Sequence, residues 1–290
     1  SYSVTGVQTC ALPILFAELA RVRPRAALFA GTCDQLRRSL EAPSRAAACP
    51  TFLLHVPHSW DTPASFRFYL EELRRLGRFL VDLGGRAPDR AGLGAAMAAH
   101  DRARRGLRDA RGRLSGRSWS EYAEEYLCRG ALGALPASGA APQAGPRLAL
   151  LGGPLWGAHR RLIGRLEALG ASVALDGTDA GERALAPPFD RRRLEEQPFL
   201  EMGAAYFGGI PDAFRRPNSL LYRWLERELP ARGVQGLVLA RCLWCDAWHA
   251  EARRLRDWSG LPMAEVELAG ETLDETRVEM RLAALLEVLR

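Results

Sequence analysis

The sequence predicts an α/β protein with two Rossmann-like or flavodoxin-like domains, each built on a parallel sheet flanked by helices. Three observations indicate this class: short apolar runs bounded by Gly, Pro and Cys, amphipathic helical stretches between those runs, and one Pro-, Gly- and Ala-rich segment near mid-chain. Strands that alternate with helices imply right-handed crossovers and parallel pairing. Ligands collect at the carboxyl ends of the strands in such sheets. Functional residues are therefore expected where the predicted strands end.

The first domain opens with two predicted strands. Residues 26–30 (AALFA) and 51–56 (TFLLHV) are short apolar runs, as is typical of buried parallel strands. Three helices are expected after them, at 63–83, 93–114 and 118–132. Ser118 opens the last of these helices, and Glu121 three residues later predicts a capping box.

A linker is predicted at 135–146 (LPASGAAPQAGP), where Pro, Gly, Ala and Ser replace the helical pattern. It separates a first domain over 15–134 from a second domain over 147–290. The strands expected in the second domain are 147–151, 172–175, 236–239 and 263–268. The helices expected there are 158–169, 219–228, 246–258 and 273–289.

The first fourteen residues are expected to be foreign to the protein. Residues 6–14 (GVQTCALPI) resemble a sequencing adapter translated in frame, so 1–14 are interpreted as an artefact and the first domain as truncated. A genuine short strand is the alternative. Without Cys10, five of the six cysteines remain. An odd number in a cytosolic chain argues against disulfides and favours buried thiols or metal ligands.

Composition and charge place the chain among ordinary globular proteins. It has 290 residues, 48% hydrophobic and 26% charged, with a formal net charge of +6. All 40 basic residues are arginine, and they alternate with Glu and Asp along helical stretches. This pattern favours solvated helix faces over a nucleic-acid site. Because no apolar run reaches the roughly 18 residues of a membrane helix and no export signal opens the chain, the cytoplasm is the expected location.

Two cysteines occupy the same kind of position, after a predicted strand and directly before a helix. Cys33 precedes Asp34, and Cys245 precedes Asp246. Partial positive charge at a helix amino end favours the thiolate that metals bind. One thiol from each domain meeting in the cleft would form a metal site, whereas the alternative is two small buried side chains. Cys242 and Cys245 also have the CxxC spacing of a redox pair or half a zinc site.

A series of short strings, taken in order along the chain, carries a family resemblance. They are Thr32-Cys33-Asp34, His55-Val56-Pro57-His58, Pro146-Arg147, Gly170-Ala171 with Asp176, Gly181-Glu182-Arg183, residues 234–239 running into Trp244-Cys245-Asp246, and residues 277–289. Together they resemble the 2-hydroxyacyl-CoA dehydratase and benzoyl-CoA reductase subunit family, in particular the D-component of 2-hydroxyglutaryl-CoA dehydratase. The resemblance spans nearly everything from residue 15 to residue 290 and depends on order and spacing.

The resemblance implies a 4Fe-4S cluster held by three cysteines of one subunit, with one iron keeping a non-protein ligand. By position, Cys33 would be the middle ligand and Cys245 the last, and the first would lie upstream, beyond the expected truncation. Cys242 is a reserve ligand, while Cys49 and Cys128 are expected in the core. The resemblance also implies a homologous second subunit and a separate ATP-dependent iron-sulfur activator protein.

The implied function is that of a cytoplasmic lyase subunit that removes water from a 2-hydroxyacyl-CoA thioester by a radical mechanism. One electron added to the thioester carbonyl gives a ketyl radical anion that expels the 2-hydroxyl group, after which the carbon-3 proton becomes acidic. An iron with an open position supplies the electron and acts as a Lewis acid. No catalytic acid or base is assigned.

Weaker roles and other functions stay open. Gly152, Gly153 and Arg183 are candidate substrate contacts, with an ordinary strand-to-helix turn and a surface ion pair as the alternatives. His55 and His58 are candidate proton carriers or structural histidines. The chain could also be an ATP-dependent benzoyl-CoA reductase subunit, or a non-catalytic structural partner subunit without a working cluster.

Overall fold

A computed structural model of the chain describes residues 24–32, 37, 49–136, 144–153, 155, 157–243, 245–268 and 274–290. Over these residues the protein is α/β, with parallel strands in two sheets flanked by helices. The predicted fold class is confirmed. Cys33, Trp244, the predicted artefact at 1–14 and most of the predicted linker lie outside the described residues.

The first sheet consists of two short parallel strands, β1 (Ala27–Ala30) and β2 (Thr51–Leu54). Helix α1 (Pro63–Asp82) follows and packs on β2, with the rings of Phe52 and Phe79 5.0 Å apart. The hydroxyl of Thr62 caps α1 by accepting from the amide of Ser65 at 3.1 Å. This small unit places the carboxyl end of β2 directly before the segment that contacts the second sheet.

Helices α2 (Arg90–Ala110) and α3 (Gly116–Arg129) share a core of their own. Trp119 is fully buried there, and its indole N–H donates to the carbonyl of Leu107 at 2.8 Å. The cap of α3 is Ser115, which accepts from the amide of Ser118 at 3.2 Å. The predicted capping box at Ser118 and Glu121 is therefore wrong, because the helix begins one turn earlier.

The second sheet has four parallel strands in the order β4-β3-β5-β6. Its strands are β3 (Arg147–Gly153), β4 (Ser172–Thr178), β5 (Gly236–Cys242) and β6 (Met263–Leu268). The helices of this half are α4 (Arg161–Ala168), α5 (Arg191–Glu196), α6 (Pro198–Gly203), α7 (Ser219–Ala231), α8 (Asp246–Ser259) and α9 (Glu275–Leu289). Helices α4 and α9 cover one face of the sheet and α7 and α8 the other, so the sheet is doubly wound.

Three of the four strands of the second sheet, β3, β4 and β5, are longer than the sequence pattern predicts. The two glycines predicted as a loop, Gly152 and Gly153, are the last residues of β3, and Cys242 is the last residue of β5. The apolar runs stop early because polar residues lie inside the strands, such as Asp176 and Thr178, which bond each other through Thr178 Oγ1 at 2.7 Å. Buried polar groups that bond each other are compatible with a position inside a strand.

The segment between β4 and α7, to which the sequence pattern assigns no element, joins the two halves. A π-helical turn, Ala204–Gly208, follows α6, and Phe207 within it stacks on Tyr69 of α1 at 4.8 Å. The guanidinium of Arg104 on α2 donates to the phenol of Tyr206 at 3.0 Å. Helices of the first half are thus held by side chains that belong to the second.

Helices α2 and α3 also pack on β4, which is an edge strand. A Cβ at Gly116 would lie 2.8 Å from the Cβ of Val173, and the carbonyl of Val173 accepts a bond from Arg111. The amide of Arg117 donates to Glu167 at 3.2 Å. The edge of β4 is therefore covered, which protects it from pairing with other chains. The domain boundary at 135–146 stays a prediction.

No helix in the described part of the chain combines the length and the apolar character that a membrane span requires.

Candidate functional site

The second sheet has a topological switch point between β3 and β5. The chain leaves β3 to form β4 on one side and returns to form β5 on the other side. Helices that follow β3 and β5 therefore diverge, which opens a crevice at the carboxyl ends of these two strands. Gly153 lies opposite Arg241 at this edge, and Cys242 ends β5 one residue later.

Gly152 and Gly153 end β3 in a backbone conformation that favours glycine. Their φ angles are +107° and +104°, in the region that L side chains rarely adopt. A Cβ at Gly152 would lie 1.8 Å from the carbonyl oxygen of Ala240, and one at Gly153 would lie 2.3 Å from Oδ1 of Asp179. The close approach of β5 and of Asp179 thus accounts for both glycines, and their contact with substrate stays a prediction.

Cys245 lies at the turn between β5 and α8, at the mouth of the crevice. It is the N-cap residue of α8, is half-buried, and packs against the apolar clusters on both faces of the sheet. Its carbonyl accepts from the amide of His249 at 2.9 Å, and Asp246 stands in the first turn. Position and burial suit one thiolate ligand of an iron-sulfur cluster, because the helix amino end favours the thiolate and the apolar packing limits access of water.

The remaining cysteines occupy different surroundings. Cys242 is buried, faces the α4 and α9 side of the sheet, and its carbonyl accepts from the amide of Cys245 at 3.0 Å. Cys49 precedes β2 and is half-buried, whereas Cys128 is exposed on α3. The expectation that Cys128 belongs to the core is therefore wrong. Its helix ends at the next residue, Arg129, and Leu127 beside it also faces solvent.

Within the described residues, no three His, Cys, Asp or Glu side chains come together as a metal site. Cys33 lies outside those residues, so the predicted meeting of Cys33 and Cys245 stays a prediction. The described part of the chain contributes one thiol in a suitable position, Cys245, and a second close by, Cys242.

Arg183 is buried beneath the crevice with 3% of its surface exposed. Its Nε donates to the carbonyl of Gly177 at the end of β4 at 2.9 Å, and its Nη2 donates to the carbonyl of Gly152 at the end of β3 at 3.1 Å. Its Nη1 donates to the carbonyl of Pro211 at 3.3 Å and pairs with Asp212. The guanidinium therefore joins two strand ends to the segment before α7.

Two carboxylates with little exposed surface, Asp176 and Glu182, lie close to Arg183 in the chain. Burial raises the pKa of Asp176 despite hydrogen bonds from Thr178 and the positive charges of Arg111 and Arg160, and its Oδ2 has no hydrogen-bond partner. Glu182 accepts from Arg111 at 2.8 Å and also pairs with Arg232. Adjacent residues of the Gly-Glu-Arg string thus face opposite ways, Glu182 towards the edge of β4 and Arg183 towards the crevice.

The segment after β2 contacts the segment before α7, close to the same edge of the second sheet. The amide of Arg216 donates to the carbonyl of His58 at 2.9 Å, and Nδ1 of His58 donates to the carbonyl of Phe214 at 3.1 Å. The indole of Trp60 donates to the carbonyl of Pro217 at 2.6 Å. The carboxyl end of β2 therefore faces the switch-point side of the second sheet. A proton-carrying role for His58 stays a prediction.

Sequence reasoning missed the residues that frame the crevice from 211 to 217. Asp212 binds Arg183, and the buried Arg215 stacks between Phe207 and Phe214 at 4.6 and 4.9 Å. This stretch shows neither the strand period nor the helix period. The Arg-Arg-Pro string at 215–217 is a local signal for a turn, but it says nothing about contacts with residues more than 150 positions earlier.

Comparison with known proteins gives one family. The family model described as 2-hydroxyglutaryl-CoA dehydratase, D-component, matches residues 11–289. A search of curated proteins found no match to the chain.

Proposed function

Because the chain belongs to the 2-hydroxyglutaryl-CoA dehydratase D-component family, we propose that it is the iron-sulfur subunit of a 2-hydroxyacyl-CoA dehydratase. The reaction would remove water from a 2-hydroxyacyl-CoA thioester by the radical mechanism. The observation that carries the proposal is the position of Cys245, an N-cap thiol at the carboxyl edge of a doubly wound sheet, beside the switch point.

Cys245 and Cys33 are the proposed protein ligands of a 4Fe-4S cluster, with Cys242 in reserve and a further cysteine expected upstream of Cys33. When bound, such a cluster with one open iron position supplies one electron and Lewis-acid character to the thioester carbonyl. Three thiolates in place of four leave that position open. Cys245 packs against the apolar clusters on both faces of the second sheet, one of which contains Trp248. These surroundings are suited to shielding the site from water.

The chain's own residues would bind and orient the reacting groups. The first turn of α8 would present backbone N–H groups and the positive end of the helix dipole to an anionic cluster or thioester oxygen bound beside Cys245. Gly152 and Gly153 keep the end of β3 free of side chains next to that turn. Arg183 stays a candidate substrate contact only if its present hydrogen bonds open.

The partners proposed for this subunit follow from the family. They are a homologous second subunit, a separate ATP-dependent iron-sulfur activator protein that delivers the low-potential electron, and a CoA thioester substrate. We place this assembly in the cytoplasm, where reduced thiols and a cluster of this kind persist.

The test is iron content after anaerobic purification. The full-length protein should be brown, should contain about four irons per chain, and should lose them in Cys245→Ala and Cys33→Ala variants. Cys128→Ala is the matched control, because Cys128 is exposed on α3, and it should keep its iron. Circular dichroism checks that each variant is folded. Folded wild-type protein without iron, or loss of iron in the Cys128 variant alone, would contradict the proposal.

Activity separates the dehydratase from its rivals. The iron-loaded chain, combined with the second subunit and the reduced activator, should convert a 2-hydroxyacyl-CoA into the enoyl-CoA. Reduction of benzoyl-CoA in the same assay would instead identify a reductase subunit. An assembly that is equally active with Cys245→Ala would identify a structural subunit.

A further inference from the structure

Each nitrogen of the Arg183 guanidinium already donates to another part of the protein, and these bonds use four of its five N–H groups. Its three nitrogens donate to Gly177, Gly152 and Pro211, and Nη1 also pairs with the carboxylate of Asp212. The side chain is 3% exposed. A substrate carboxylate or phosphate that bound through two N–H groups would have to displace hydrogen bonds that are already made in a buried setting. Arg183 therefore serves to hold other parts of the protein together.

Arg183 also contacts the helix that begins at Cys245. Its Cζ lies 5.2 Å from the centre of the Trp248 ring, within the range of a cation–π contact. Trp248 is 4% exposed and stands three residues after Cys245, in the first turn of α8. The same guanidinium therefore touches the ends of β3 and β4 and the first turn of α8.

We propose that Arg183 is a positioning residue for Cys245. By bonding the carbonyls of Gly152 and Gly177 while it packs on Trp248, it fixes where the first turn of α8 stands relative to the switch-point crevice. The inference rests on the proposed function for the role of Cys245 as a ligand, and it adds the residue that determines where that ligand stands. A lysine cannot replace Arg183, because an ammonium lacks the planar fork that reaches acceptors in several directions.

The experiment measures how fast Cys245 is alkylated in the full, iron-free chain. Iodoacetamide labelling is followed by mass spectrometry of the tryptic peptide 242–253, in which fragment ions distinguish Cys242 from Cys245. The rate at Cys245 is divided by the rate at Cys128, which is exposed on α3 and serves as an internal reference. We expect this ratio to rise about tenfold in Arg183→Ala, the factor expected from losing one charge-assisted hydrogen bond that holds the turn.

Arg232→Ala is the matched control. Arg232 pairs with Glu182, the neighbour of Arg183, and donates to the carbonyl of Ala174 at 3.2 Å, on the far side of the same turn. The Arg232→Ala variant should have a lower melting temperature and an unchanged ratio of the alkylation rates at Cys245 and Cys128. Arg183→Lys keeps the charge, guards against a variant that does not fold, and should raise the ratio as Arg183→Ala does.

Two results would overturn the proposal: an equal ratio in the Arg183 and Arg232 variants, or a wild-type ratio in Arg183→Lys. Because the labelling is done without iron, its outcome is independent of whether the chain binds a cluster. A selective change at Cys245 in a chain that never binds iron would support the positioning role and contradict the proposed function. An unchanged Cys245 ratio in a chain that does bind iron would support the proposed function and contradict the positioning role.

Discussion

The two-stranded sheet of β1 and β2 and the four-stranded sheet of β3 to β6 are covered in different ways. Every residue of β4 and β5 is buried, whereas β1 alternates and leaves Leu28 54% exposed. Helices pack on both faces of the larger sheet. The described part of the smaller sheet depends on α1 and on its contact with residues 214–217. A site held by the larger sheet is therefore fixed by rigid elements, and the smaller sheet is positioned against it.

This difference predicts where substitutions have large effects. Substitutions at the carboxyl end of β3 and beside the edge of β4 should strongly destabilise the strands and turns that form the crevice. Changes in α1 and in the segment after β2 should be milder, because fewer buried groups depend on them. Four comparisons test this expectation, in order of decreasing effect.

The largest effect is expected from Gly152→Ala. The new Cβ would lie 1.8 Å from the carbonyl oxygen of Ala240 at a φ of +107°, so β3 and β5 must separate. The free energy of unfolding should fall by about 4 kcal/mol or more. Urea denaturation measures the change. Gly77→Ala in α1 is the control, since nothing lies within 4 Å of its Cβ position, and it should stabilise by roughly 0.5–1 kcal/mol. Similar values for the two variants would refute the comparison.

Glu182→Gln should have the next largest effect. The side chain of Glu182 is 8% exposed and pairs with both Arg111 and Arg232. Its neutralisation removes the carboxylate that these two guanidinium groups share, although Arg232 keeps its pair with Glu228. Removing one partner of a buried ion pair costs roughly 3 kcal/mol or more. Glu121→Gln is the control, because its pair with Arg117 is exposed, and its effect should stay below about 0.5 kcal/mol. Calorimetric unfolding of both variants would show equal shifts if burial did not matter.

Trp60→Phe should weaken the contact between the smaller sheet and the segment before α7. The substitution removes the hydrogen bond from the indole to the carbonyl of Pro217, which is worth about 1 kcal/mol. Trp258→Phe is the control, because that indole lies partly exposed on α8. Limited proteolysis near residue 60 should be faster in the first variant alone. Unchanged proteolysis would mean that this contact does not hold the segment.

The smallest effect is expected at two carboxylates, whose contributions to stability should change with pH in opposite directions. Burial raises the pKa of Glu72, but hydrogen bonds from Arg75 and the His55 amide outweigh burial and hold it below its ordinary value of 4.5. Its contribution to stability is present above that value and is lost as pH falls through the folded pKa. Burial raises the pKa of Asp176 above its ordinary value of 3.8. Its contribution to stability is therefore present below that value and is lost as pH rises through the folded pKa.

Substitutions separate the two signs. Glu72→Gln should lower the free energy of unfolding near neutral pH and have little effect in acid. Asp176→Asn should instead remove the loss of stability that the wild-type protein shows at this site as the pH rises. Denaturation at several pH values between 3 and 7 measures both. Parallel slopes for the two variants would show that the environments of the two carboxylates do not differ as the structure indicates.

Much of the fold could be predicted because local patterns dominate it. Strand β6 was predicted at 263–268 and is Met263–Leu268, and α8 was predicted from Asp246, where it begins. The strand ends were predicted less well. Asp176 and Thr178 interrupt the apolar run of β4, yet both pair with β3, opposite Leu150 and Gly152, and bond each other through Oδ1 of Asp176. The roles of Cys33, Gly152 and Gly153 as site residues stay predictions.

The sequence by itself determined the fold class, the order of the strands and the placement of Cys245 at the start of a helix, because these depend on periodicity and on residues adjacent in the chain. Only the tertiary structure decided that Arg183 bonds Gly152 and Gly177 and packs on Trp248. It also decided that α2 and α3 cover the edge of β4. Such contacts join residues far apart in the chain, and their free energy depends on burial and geometry that no local pattern records.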